Sequence, residues 1–109
     1  MVQLLDGKSR VTAFETWVKN SHTEYFGESD FRITSEPMYE SLSIAETSNA
    51  DAFKVCLNNH QEGKTDYATF CKDCAEHGIE KWYVCLSIMT CTYYDKAGNT
   101  ILVEQVHQP

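Results

Sequence analysis

The sequence predicts an α+β fold: an antiparallel sheet built from two related helix-plus-hairpin halves, helices packed on one face, and the first helix truncated. Three observations predict it. The run from His60 to Glu104 reads as a capped helix, a Gly stop, then strand, strand, turn and strand. A fainter copy of its strands lies 68 residues earlier, where Phe14, Val18, Tyr25 and Phe26 fall on Trp82, Leu86, Tyr93 and Tyr94. Apolar residues alternate with period two in the candidate strands and recur every three or four residues in the candidate helices.

The elements follow in order. Val11–Val18 is β-branched and aromatic, with Phe14, Thr16 and Val18 on one face and Val11, Ala13 and Trp17 on the other. Asn20-Ser21-His22 supplies a turn, Thr23–Phe26 returns as the partner strand, and a short strand follows at Phe31–Thr34. Pro37 then breaks regular structure, and Ser35–Ser43 has no periodicity. Ser48 is the expected cap of a helix with Asp51 in its first turn, where the helix dipole favours negative charge. Phe53, Cys56, Leu57 and His60 form its buried stripe, and Gly63 ends it. A second helix starts after Thr65, turns Tyr67, Phe70, Cys71, Cys74 and Ala75 inward, and stops at Gly78. Ile79–Ile88 is the strongest strand, with Trp82, Val84 and Leu86 on one face. Thr90–Tyr94 pairs back on it, and Thr100–Val106 follows the polar turn Asp95–Asn99.

The 68-residue offset constrains the first half. Carried back from the second helix, it lands at or before residue 9, so a helix is expected ahead of the first hairpin where only MVQLLDGKS is present. That helix is reduced to a turn or two, or the start is irregular. The apolar surface it would have covered then needs another partner.

Composition bounds the function. The chain of 109 residues is one domain, residues 1–109; at 42% hydrophobic it has enough apolar side chains for a core, which excludes a disordered or collagen-like chain. No apolar stretch approaches the roughly 20 residues that span a bilayer, and the N-terminus lacks a basic, apolar leader, so a cytoplasmic protein without a membrane partner is expected. The net charge of −7, with 16 acidic against 9 basic residues and no basic cluster, argues against direct binding of nucleic-acid phosphates. Five cysteines, an odd number, read as reduced thiols rather than a disulfide framework.

The stretch HQEGKTDYATFCKDCAEHGIEKW, followed by MTCTYYDKAGNTILVEQ, resembles the C-terminal half of the YbcV-like family. Its members are small bacterial and prophage proteins of unknown function, often labelled phage envelope protein. HTEYFGESDFRITSEPMYESLSIAETSNADAF resembles the family's middle region, so the resemblance covers nearly everything after Val11. It departs at the start, where the family usually opens with a longer helical segment. It implies an α+β fold and a phage association, and it brings no known active site, because the family has none established.

Candidate chemistries are few. In Cys71-Lys72-Asp73-Cys74 the first thiol lies well past the helix start, without the dipole that activates a redox CxxC. Cys71, Cys74 and His77 drift around the helix, and His60 supplies a fourth metal ligand only if the two helices fold back tightly. Packing of two small apolar thiols is the simpler reading. His60 reads as a helix-end histidine and His22 as a turn histidine. Gly63-Lys64-Thr65 lacks the upstream Gly and strand of a P-loop. No catalytic, cofactor or metal residues are therefore assigned, and the protein is expected not to be an enzyme. The sheet surface remains: Trp17 and Tyr83 face away from the helices, joined by an aromatic of the Tyr25/Tyr93 pair, and Trp17, Tyr83 and Tyr93 are the candidate interface. The leading expectation is a non-enzymatic interaction protein, with a protein partner or a homodimer. The alternative is a small-molecule or nucleotide binder with a pocket between the two halves.

Overall fold

The computed structural model describes residues 11–28 and 32–105. Strands β1 (Val11–Trp17), β2 (Thr23–Gly27), β3 (Arg32–Thr34), β4 (Ile79–Cys85), β5 (Thr90–Asp95) and β6 (Thr100–Gln105) form one sheet in the order β3-β2-β1-β4-β5-β6. Every neighbouring pair is antiparallel. Helices α1 (Ala50–Gln61) and α2 (Tyr67–Glu76) stand between β3 and β4 in the chain. This is the expected α+β architecture. The expectation of a truncated first helix falls on residues 1–10, outside the described residues.

Register decides which side chains meet, because directly opposed residues share a face. The two inner strands pair through Phe14–Val84, Glu15–Tyr83 and Thr16–Trp82. Each then pairs outward in the same frame. Phe14–Tyr25 and Thr16–Thr23 in the first hairpin stand where Trp82–Tyr93 and Val84–Cys91 stand in the second. These residues make the inner face.

Both helices lie on that face. The Phe53 ring meets Tyr93 at 5.0 Å and Phe70 meets Trp82 at 5.8 Å. Val18, Leu57, Cys74, Ala75, Ile79 and Val84 complete the buried core. Burial of this apolar surface, at about 25 cal/mol per Å², is the main stabilising term.

The helix caps fall within a residue of their expected places. Asn49, not Ser48, caps α1, its side chain accepting from Ala52 N–H at 3.0 Å. Asp66 rather than Thr65 caps α2, accepting from Thr69 N–H at 2.8 Å. Gly78 has φ +80°, and a Cβ there would lie 2.7 Å from the backbone of Ser48, so this turn needs glycine twice over. β4 ends at Cys85, short of the expected Ile88, because the chain turns at Leu86–Met89 with Met89 at φ +52°.

One face assignment is corrected. Tyr93 lies on the inner face, only 5% exposed, because it pairs with Trp82. Tyr94 takes the outward position instead, its ring 5.5 Å from Lys81 Nζ. A one-residue change of frame turns every side chain of a strand over.

The irregular segment from Ser35 to Asn49 is fastened by backbone hydrogen bonds. Ser35 N–H donates to Thr23, Met38 to Asn20, Leu42 to Lys19 and Ala45 to Ala75. It packs Leu42 and Ile44 on the core and forms one wall of the site below. No helix among the described residues is long and apolar enough to cross a membrane.

Candidate functional site

The helices seal the inner face over β4 and β5 but leave a cleft of about 400 Å³ over β1 and β2. Register lays out its floor. Thr23, Thr16 and Trp82 form one row across three strands, and Tyr25 and Phe14 form the next. Tyr67, the first residue of α2, closes one side, with Ser21 of the β1–β2 turn beneath it. Ser35, Glu36 and Met38 of the fastened segment close the other. The cleft thus draws on both halves of the chain.

Two hydroxyl pairs sit at its base. Thr16 Oγ1 and Thr23 Oγ1 are 2.8 Å apart, and Ser21 Oγ and the Tyr67 hydroxyl are 2.5 Å apart. In the threonine pair one O–H donates to the other oxygen and the second hydrogen stays available to a guest, whereas Ser21 Oγ donates to Met38 Sδ at 3.6 Å and so accepts from the Tyr67 hydroxyl; both pairs keep oxygen lone pairs available. Ser35 Oγ accepts from Thr23 N–H at 2.9 Å and keeps its own hydrogen. Thr16, Ser21 and Thr23 are all less than 9% exposed, which fixes their positions.

Ser21 adopts φ +62°, a left-handed conformation that costs a residue with a Cβ about 1 kcal/mol. Its N–H donates to Trp17 C=O at 2.8 Å, and with the Tyr67 contact this holds the turn in place. Burial raises the Tyr67 phenol above its ordinary range, and Tyr39, whose hydroxyl donates to Val18 C=O, is raised by burial as well. Both remain neutral donors at physiological pH.

The walls are aromatic and the charge is sparse. Phe14 and Tyr25 meet at 5.8 Å, and Tyr67 stands edge-on to Trp82 at 6.3 Å. Among the described residues Glu36 is the one charged residue in the lining. The nearest basic strand residues belong to the opposite face: Arg32 is paired with Glu24, and Lys81 Nζ lies 3.0 Å from Glu15.

Of the three residues expected to form an interface, the structure brings two to the outward face and one to the core. Trp17 stacks on His22 with ring centres 6.0 Å apart, and Lys81 Nζ lies 4.6 Å from the Trp17 ring centre. Its indole Nε1 is buried without a hydrogen-bond partner among the described residues. Tyr83 is half-buried beside Glu15. Tyr93 packs under α1 and donates to Glu104 at 3.2 Å.

The thiol and histidine candidates do not converge. Cys71 and Cys74 are fully buried, and burial pushes both thiols up. His60 stacks on Phe70 at 4.4 Å, its Nδ1 3.1 Å from Thr65 C=O, while His77 caps the end of α2. Among the described residues no group of three or more His, Cys, Asp or Glu is placed to hold a metal ion. Lys64 pairs with Glu62 in the interhelical loop, away from the cleft lining.

Sequence reasoning missed Ser21, Thr23, Ser35 and Tyr67 as a site. One signal lay in the 68-residue offset, which sets Thr16 and Thr23 against Val84 and Cys91. A family model described as a protein of unknown function, DUF1398, matches residues 5–105. No curated protein matches the chain.

Proposed function

Because the chain belongs to the DUF1398 family, whose description assigns no activity, we propose a function from the cleft: the protein binds a small molecule between its two halves and does not turn it over. One observation carries this reading. At equivalent register the second half places Val84 and Cys91 under helices, and the first half places a hydroxyl pair under a cleft that no described residue fills. Polar groups at low exposure are costly unless they find partners. Fixed donors and acceptors at the base of an aromatic cleft are the arrangement that orients a ligand. The mouth is apolar as well, with Met38 at 69% and Tyr67 at 36% exposure on its rim.

The absence of turnover rests on the same geometry. Ser21 faces a tyrosine hydroxyl, and burial makes that phenol hold its proton more tightly. Such a partner does not draw a proton from serine at neutral pH. The internal repeat is part of the proposal: the shared hairpin register supports two related halves, the first with no helix over its inner face among the described residues. The YbcV-like assignment and its phage setting rest on the long motifs alone.

The second reading is a protein-docking role for the outward face, through self-association or another partner. The observation favouring it is that no described helix covers Trp17, Tyr83 and Tyr94, with Val103 54% exposed on the same face. It ranks second because Trp17 is already enclosed by His22 and Lys81.

A fragment screen read by NMR tests the first reading. Binding in the cleft moves the methyl signals of Thr16 and Thr23 and leaves Thr90 and Thr92, on the outward face, unmoved. Fragments that perturb only the outward threonines, or none of the four, contradict it.

A further inference from the structure

We propose that the cleft selects small organic cations, an ammonium group carried on an aromatic or aliphatic body; this rests on the reading of the cleft as a binding site. Four rings border it, from Phe14, Tyr25, Tyr67 and Trp82. The face of an aromatic ring carries negative potential and attracts a cation lying over it. The lone charge in the lining, Glu36, is negative, and no Lys, Arg or His lines the cleft among the described residues.

The hydroxyls fit the same guest. An ammonium brings up to three N–H donors and no acceptor, so it needs oxygen lone pairs. The Thr16–Thr23 and Ser21–Tyr67 pairs present them at the base, and the Glu36 carboxylate presents them at the side. A primary ammonium would seat its N–H groups on these oxygens and its apolar body against the Trp82 and Phe14 rings.

One feature opposes a cation. The N-terminus of α2 lies at Tyr67, and a helix start favours anions. There the Asp66 carboxylate already accepts the Thr69 N–H at 2.8 Å and brings a full negative charge to that end. The net local charge is therefore negative. The formal charge of −7 on the whole chain draws cations in the same direction. A nucleotide or other phosphate ester meets the opposite conditions, with Glu36 in the lining and no cation among the described lining residues to neutralise it.

The test is a set of three ligands with one body and three charges: phenethylammonium, phenethyl alcohol and phenylacetate. Calorimetry gives affinity, and NMR of the Trp82 indole and the Thr16 methyl gives location. The expected result is that phenethylammonium binds most tightly and moves both signals. The exposed Glu36→Gln variant should then weaken the ammonium by about fivefold, the upper end for a solvent-exposed ion pair, and leave the alcohol unchanged. Alcohol or carboxylate binding at the cleft as tightly as the ammonium overturns the cation assignment and leaves the cleft reading standing. Silence from all three ligands also overturns the assignment; it overturns the cleft reading only when the wider fragment set leaves Thr16 and Thr23 unmoved.

Discussion

At the scale of single residues, the hydroxyl pair on the floor ties stability to function. Thr16→Val leaves Thr23 Oγ1 without its 2.8 Å partner and should cost about 1 kcal/mol in urea unfolding. Thr16→Val with Thr23→Val removes both partners and should recover most of that loss, because neither site then holds an orphaned hydroxyl. Additive losses would show that the two oxygens do not depend on each other. The double variant should also lose ligand affinity while keeping its fold. The thiols give a second check. Cys71 and Cys74 are fully buried, and burial pushes the Cys91 thiol up to about 11. A reagent has to reach the sulfur, so in native protein at pH 8 an alkylating reagent should modify half-buried Cys56 and Cys85 first. The other three should react only on unfolding. Rapid native labelling of Cys71 would point to a thiol chemistry this account does not contain.

At the scale of elements, caps and turns decide where each segment stops. Gly78→Ala combines a left-handed φ with a Cβ 2.7 Å from the Ser48 backbone, so the α2–β4 turn has to shift. Gly63 has a similar φ of +81° but open space around it. Alanine there should cost about 1 kcal/mol, and at Gly78 roughly twice that or more, compared by thermal unfolding of the two variants. This level of structure was largely legible in the sequence. Periodicity gave the strands and helices, and Gly and Asp gave their ends. What shifted were choices between neighbours of similar chemistry, Asn49 over Ser48 and Asp66 over Thr65, which only backbone geometry separates. Tyr93 was harder to place. Its face depends on the length of the Leu86–Met89 turn, and a one-residue difference exchanges it with Tyr94. The cleft was the least legible part. Its lining comes from β1, β2, the Ser21 turn, the 35–38 wall, α2 and β4. No local pattern joins them. What the sequence did offer was the 68-residue offset, which sets Thr16 and Thr23 against Val84 and Cys91.

At the scale of the whole molecule, the two hairpins share a register yet differ in what lies over them. Helices cover the second, and among the described residues a hydroxyl-floored cleft lies over the first. That asymmetry is the core of the functional argument. The opposite face of the sheet supplies an independent comparison. Trp17→Glu inserts a carboxylate beside Glu15 and Lys81 without touching the cleft. If the outward face is a docking surface, light scattering should show a loss of assembly; an unchanged mass retires that reading. Ligand binding in the cleft should survive the substitution in either case. The most direct measurement is a crystallographic fragment soak of the wild-type chain. The account predicts ligand density over the row Thr23–Thr16–Trp82, with polar atoms facing the hydroxyls and the apolar body against the rings. Density confined to the outward face, or a cleft filled by the chain's own side chains, would contradict it.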